Sequence, residues 1–237
     1  MTANLKFIRY VSYRSPNAIS TAKEIIKYIE VKREHHRNTP ELFNEAQDHV
    51  RRQDFLKEIR SQPERGICIH HWKLSLHENE RNELKIDMRE WTRDFMARVE
   101  AKYKQRLDWV AAIHDDEGHP HVHIIIRGRD REGGYVNFYR YDSKKINRLA
   151  DEEKRLQAVR NLGPEKAEKT MERLDRIAEE TQKKKERMGI PRNQSLVQAI
   201  GKGLTDAFAQ VLREAEWERE QAKREAERKS RKKKKDR

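Results

Sequence analysis

Four histidines stand close together near the middle of the chain, in the segment HDDEGHPHVH at residues 114–123, and one of them, His119, falls in the predicted turn. Side chains alternate between the two faces of a strand, so a strand beginning after Pro120 places His121 and His123 on one face. A tight turn at Glu117-Gly118 predicts a hairpin with the preceding segment, which brings His114 opposite that pair. Imidazoles arranged in this way are typical of a metal site with open coordination positions. The alternative is a cluster of surface histidines; we predict that His114, His121 and His123 bind one divalent ion.

Further polar side chains surround this hairpin. Asp116 shares the face of His114 and could orient a ligand imidazole through its second ring nitrogen; the alternative is a solvated carboxylate at the hairpin end. Three arginines, Arg127, Arg129 and Arg131, leave the second strand beside the site and are candidate contacts to a nucleic-acid backbone. On the opposite face, Val122, Ile124 and Ile126 are expected to form the core, whereas Ile125 can pack at the edge of the histidine face.

The hydrophobic pattern predicts the elements that must hold this hairpin. Period-two segments predict strands at residues 5–13, 67–76, 108–116, 120–128 and 135–140. Helical patterns occupy residues 20–33, a stretch starting at Thr39-Pro40 and reaching Ile59, and residues 87–105. The expected fold class is α+β, an antiparallel sheet with helices packed on it, followed by a mainly helical, charged C-terminal region.

A change of character near Tyr141 suggests three parts. Residues 1–141 would form the nuclease-sized domain, residues 142–192 a charged helical region, and residues 193–237 an amphipathic segment followed by a basic tail. The charged part is interrupted at Gly163-Pro164 and at Gly189-Ile190-Pro191.

Composition limits the classes of function. Lys and Arg outnumber Asp and Glu by 54 to 41, and the net charge of +13 favours a polyanionic partner. Cys68 is the one cysteine, so the chain has no internal disulfide framework, which suits a reducing compartment. Neither a signal peptide nor an apolar run of about 20 residues is evident. We expect a cytoplasmic protein without membrane insertion.

The histidine segment HDDEGHPHVHIII resembles the third motif of HUH-type relaxases of the mobilisation family, the MobA/VirD-like nuclease domains. The residues HHWKLSL at 70–76 resemble the second sheet strand of that family, residues 87–99 the following helix, and KEIIKYIEVK at 23–32 the segment that carries the nucleophile. The resemblance covers about residues 4–140 and implies an HUH fold with the metal on one face of the sheet. The position that matches the nucleophile is Tyr28. After Tyr141 the chain matches no family motif.

The resemblance implies site- and strand-specific DNA nicking and rejoining through a 5′-phosphotyrosine intermediate, as in conjugative transfer or plasmid mobilisation. Its expected partners are single-stranded DNA at an origin of transfer, accessory mobilisation proteins and a coupling protein. A divalent ion is expected as cofactor, Mn²⁺ or Mg²⁺, although imidazole suits Mn²⁺, Co²⁺, Ni²⁺ and Zn²⁺ better than Mg²⁺. Three alternatives remain: a rolling-circle initiator or transposase of the same class, a metal-dependent hydrolytic nuclease, and a non-catalytic DNA-binding accessory protein.

The helix around Tyr28 is consistent with that role. Its apolar stripe consists of Ala22, Ile25, Ile26 and Ile29, and Tyr28 lies about 100° from it, at the edge of the buried face. On the same flank Lys32 and His35 could hold phosphates, whereas Glu24 would repel them. Without the resemblance, the sequence favours a tyrosine that covers the core edge, and the match to the family position reverses this interpretation. Tyr10 and Tyr13 are rival hydroxyl groups in a strand.

Overall fold

A four-stranded antiparallel sheet forms the centre of the molecule in a computed structural model that describes residues 4–30, 41–115 and 120–188. The strands are β1 (Asn4–Ser12), β2 (Ile67–Ser75), β3 (Trp109–His114) and β4 (His121–Arg127), and they lie in the order β1-β2-β4-β3. The prediction of an α+β fold with helices packed on an antiparallel sheet is confirmed.

The fifth strand predicted at residues 135–140 is wrong. Within that segment the structure has a single β-bridge, between Arg129 and Tyr135. Val136 accepts a hydrogen bond from the ring of His70, and Phe138 packs on Trp72. The segment therefore lies across one face of the sheet and does not extend its edge.

The described residues form six α-helices: α1 (Ala18–Glu30), α2 (Arg52–Ser61), α3 (Glu78–Glu83), α4 (Met88–Tyr103), α5 (Ser143–Leu162) and α6 (Pro164–Arg187). The Asp87 side chain starts α4 by accepting hydrogen bonds from the backbone of Arg89 and Glu90. The short helix α3, which the sequence pattern did not predict, begins with a reciprocal cap between His77 and Glu80.

The long helix predicted from Thr39-Pro40 begins much later than expected. Residues 39 and 40 lie outside the described residues, and residues 41–51 are not helical. The Asn44 side chain accepts hydrogen bonds from the backbone of Ala46 and Gln47, and the backbone of Phe43 pairs with Ala111 of β3. A side-chain turn and a strand contact thus replace the first helical turns.

Two apolar cores lie on the two faces of the sheet. Val122, Ile124 and Ile126 pack with α4 and α5 on one face, as predicted. On the histidine face, Ile125 is fully buried beneath α1 and α2, together with Val110 and Ile69. Ile125 is thus central to a second core, whereas the sequence analysis placed this residue at the edge of the histidine face.

The helix α5 packs directly on the sheet layer. Ile146 and Ala150 are fully buried, the Trp91 indole donates to the carbonyl of Ala150 over 2.9 Å, and the Asn147 side chain accepts from the backbone of Leu5 over 2.9 Å. The domain boundary near Tyr141 stays a prediction, and α5, which follows it, packs on the sheet. In the described part of the chain, none of the helices is long and apolar enough to cross a membrane.

Candidate active site

The three histidines of the hairpin come together on the face of the sheet that α1 and α2 cover. His121 is the cross-strand partner of His114, and His123 lies two residues further along β4. The ring centroids are separated by 4.8 to 5.2 Å, and one nitrogen from each ring lies within 4.8 Å of the others. All three side chains are buried. This cluster could hold a metal ion.

Hydrogen bonds fix which nitrogen each of two rings presents to the cluster. The Nε2 atom of His114 lies 2.8 Å from the carbonyl oxygen of Ile29 at the end of α1. Because a carbonyl can only accept, Nε2 carries the proton and Nδ1 keeps the lone pair. The Nδ1 atom of His123 lies 2.8 Å from Nε2 of His71, which leaves Nε2 of His123 for an ion. The donor set therefore fits a divalent metal.

His71 is a part of the site that the sequence analysis missed. It lies on β2, is buried, and contacts the His123 ring at a centroid distance of 5.0 Å. The strand sequence HHWKLS could have indicated this histidine. Adjacent residues of a strand lie on opposite faces of the sheet, so one of the two neighbouring histidines must lie on the face of the cluster. The other, His70, lies on the opposite face, against Val136 and Phe138.

Burial keeps the His123 and His71 imidazoles neutral at neutral pH. Desolvation, followed by the neighbouring His71, His121 and His114 rings, lowers the pKa of His123 to about 2. Desolvation and the charge of Arg9 lower the pKa of His71 to about 4. Neutral imidazole is the form that donates a lone pair to a metal, so His123 is in its ligand form at neutral pH.

Tyr28 lies beside the histidine cluster. Its ring meets that of His123 edge to face, with centroids 6.1 Å apart and planes inclined by 74°. The residue is 48% exposed, whereas the next residue, Ile29, is fully buried and binds His114 through its carbonyl. The apolar stripe of α1 therefore positions both Tyr28 and one histidine of the cluster.

The two rival tyrosines have other surroundings. The Tyr13 hydroxyl donates to the carbonyl of Ile59 and accepts from the Gln62 amide, and burial raises the pKa of Tyr13. Tyr10 pairs across the sheet with His70, so it lies on the face opposite the cluster. Of the three tyrosines, Tyr28 is the one in ring contact with a cluster histidine.

The predicted DNA-contacting arginines lie at the other end of β4 and engage groups of the protein. Arg127 is paired with Asp108 over 3.1 Å, Arg131 with Glu45, and Arg129 stacks on the ring of Tyr135 at 3.4 Å. Their contact with DNA stays a prediction. The remaining predicted site residues, Asp116, Lys32 and His35, lie outside the described residues.

Comparison with known families identifies the class of protein. The family described as relaxase, MobA/VirD2-like, nuclease domain, matches residues 20–159, which is more than half of the chain. The chain therefore belongs to the MobA/VirD2-like relaxase nuclease family, as the histidine motif indicated. The match contains most of α1, including Tyr28, strands β2 to β4 and the histidine cluster. A search of curated proteins finds no match.

Proposed function

We propose that this relaxase nicks and rejoins one DNA strand through a covalent bond to Tyr28, with His114, His121 and His123 holding Mn²⁺ or Mg²⁺. The substrate is single-stranded DNA at an origin of transfer, and the reaction starts conjugative transfer or plasmid mobilisation in the cytoplasm, with accessory mobilisation proteins and a coupling protein as partners. The observation that supports the proposal is the position of the half-exposed Tyr28 ring against His123.

The proposed reaction is a transesterification in which atoms balance. The Tyr28 hydroxyl oxygen attacks the scissile phosphorus, and the bond from phosphorus to the 3′ oxygen breaks. The phenol gives up its proton and the 3′ oxygen gains one, so the products are a 5′-phosphotyrosine and a free 3′-hydroxyl. Because the new ester keeps the bond energy, a 3′-hydroxyl can attack it and restore the strand. A bound divalent ion supplies Lewis-acid stabilisation of charge on a non-bridging phosphate oxygen.

The protein groups around the cluster position its histidines and the Tyr28 phenol. The Ile29 carbonyl orients His114, and His71 orients His123, so each of the two rings keeps one nitrogen for an ion. Because Tyr28 precedes Ile29 on the same helix, the phenol and the cluster keep a fixed relation, which favours an in-line approach to a phosphate held there. The cover of Ile125, Ala112 and α1 limits water on one side of the cluster.

The competing functions differ in their products. A rolling-circle initiator or a transposase of the same class would form the same adduct at a different DNA sequence. A hydrolytic nuclease would leave no DNA on the protein, because water and not Tyr28 would attack the phosphorus.

The test is detection of the adduct. The protein is incubated with labelled single-stranded DNA from its own replicon and Mn²⁺, separated on a denaturing gel, digested and examined by mass spectrometry. We expect a nucleotide on the Tyr28 peptide, no adduct in Tyr28→Phe, and wild-type amounts in the control Tyr10→Phe. Cleavage without adduct, or an adduct in Tyr28→Phe, would overturn the assignment.

A further inference from the structure

Basic residues lie beside the histidine cluster in two rows that cross the sheet. In the first row, Lys6 of β1 pairs with Lys73 of β2, which pairs with His123 of β4. In the second row, Arg9 pairs with His71, which pairs with Ile125. An irregularity of β1 between Phe7 and Arg9 returns Arg9 to the face that Lys6 occupies. Cross-strand partners share a face, so all three cations lie on the histidine face.

The two strands that carry these cations have no acidic residues. β1 and β2 contain neither Asp nor Glu. Lys6 and Arg9 are exposed, and neither forms an ion pair or side-chain hydrogen bond with any residue in the described ranges. In contrast, Arg127 and Arg131 at the far end of β4 are paired with Asp108 and Glu45.

The positive field of these residues reaches the cluster. Lys73 is the direct cross-strand partner of His123, and Arg9 is the direct partner of His71. A fixed cation beside a site for a divalent cation is electrostatically unfavourable unless an anion binds between them. A basic residue on an outer strand can protect a sheet edge from association, but Lys73 lies on the inner strand β2, where no edge needs protection.

We propose that Lys6, Arg9 and Lys73 form a phosphate track, a strip that binds the backbone phosphates of single-stranded DNA next to the phosphate at the histidine cluster. Adjacent strands are about 4.8 Å apart, so Lys73 is one strand from His123 and the backbone of Lys6 is about 10 Å away. Lys73 thus holds the phosphate nearest the cluster. Lys6 and Arg9 lie one strand further away, so they hold the neighbouring phosphates over β1. The track rests on the proposed function, because it assumes that the cluster takes a DNA phosphate.

The experiment measures binding of a fluorescein-labelled single-stranded oligonucleotide in EDTA over a range of salt concentrations, so that no cleavage occurs. The variants are Lys6→Gln, Arg9→Gln and the double variant. The control Lys102→Gln/Arg106→Gln removes the same number of charges from the last turn of α4 and the segment just after it, and α4 packs on the opposite face. Thermal unfolding checks that each variant is folded.

We expect each track substitution to weaken binding by about three- to tenfold at low salt and to lower the slope of log affinity against log salt by about 0.7, with the double variant losing about twice that slope. Arg9→Lys should retain most of the affinity. Wild-type affinity and slope in the double variant, or an equal loss in the control, would overturn the track.

Failure of the proposed function has a different signature. It appears as wild-type protein that forms no adduct with Mn²⁺, whatever its salt slope. A wild type that forms the adduct while the double variant binds normally overturns the track alone.

Discussion

His71 and His123 face each other across strands β2 and β4, with Nε2 of His71 2.8 Å from Nδ1 of His123. When His123 presents Nε2 to an ion, its Nδ1 carries the proton and donates to His71. A buried histidine thus occupies the place where carboxylates or carbonyls commonly orient metal ligands.

Removal of this partner should weaken metal binding without removing a ligand. We predict that His71→Phe lowers Mn²⁺ affinity by about 10- to 100-fold, because the His123 ring loses the group that fixes its orientation. His71→Gln keeps an amide that can accept from His123, and it should retain most of the affinity. Calorimetric titration of both variants measures the difference; equal affinity in wild type and His71→Phe would show that His71 only fills space.

The cluster itself should bind one ion. We predict that His121→Ala and His123→Ala each abolish stoichiometric Mn²⁺ binding, because two imidazoles hold a divalent ion far more weakly than three. The control is His49→Ala, which removes an exposed histidine paired with Glu41. Metal content after dialysis is the measurement, and one ion per chain in both cluster variants would contradict the site.

The sequence was sufficient for the hairpin and its histidines, because strand alternation and a turn are local properties. It was not sufficient for His71, whose role depends on the β2–β4 register, in which Lys73 and not His71 is the direct partner of His123. The Phe43–Ala111 bridge and the packing of Phe138 over Trp72 likewise override local patterns that predict a helix and a strand. Long-range contacts of this kind cannot be inferred from periodicity.

His70 should make stability depend on pH. Burial lowers its pKa, partly offset by the hydrogen bond to the Val136 carbonyl. The folded protein therefore resists protonation of His70, while the unfolded chain binds a proton below about pH 6.5, so stability is lost as pH falls through that value.

We predict that His70→Gln, whose amide can still donate to Val136, loses less stability than wild type between pH 7.5 and pH 5.5. The difference in slope is at most about 1.4 kcal/mol per pH unit, the limit for one proton. Urea unfolding in EDTA at several pH values measures it. Parallel curves for the two proteins would mean that His70 titrates alike in both states.

A buried ion pair joins α3 to α5. The Lys154 ammonium lies 2.8 Å from a Glu80 carboxylate oxygen, and both side chains are 4% exposed. We predict that Lys154→Met destabilises the fold by about 3–5 kcal/mol, because Glu80 is left buried and charged without its main partner. Lys154→Met/Glu80→Gln removes that charge and should recover part of the loss. Chemical denaturation measures the free energy of unfolding of both variants. If the double variant is no more stable than the single variant, the loss of stability comes from altered packing and not from the unpaired charge.

The last prediction concerns where the folded domain ends. The sequence suggests a boundary near Tyr141, whereas α5 contributes Ile146, Ala150 and Ala158 to the core and binds Leu5 of β1 through Asn147.

A fragment of residues 1–145 loses these contacts and also leaves Glu80 without Lys154, while a fragment of residues 1–188 keeps them. Burial of one large aliphatic side chain is worth about 1.5–3 kcal/mol, so the shorter fragment should be less stable by more than about 3 kcal/mol. Thermal and urea unfolding of the two fragments, with Mn²⁺ binding as a check on the cluster, measure the difference. If the 1–145 fragment matches the longer one in stability and binds Mn²⁺, the boundary near Tyr141 holds and α5 is an appendage to a self-sufficient nuclease fold.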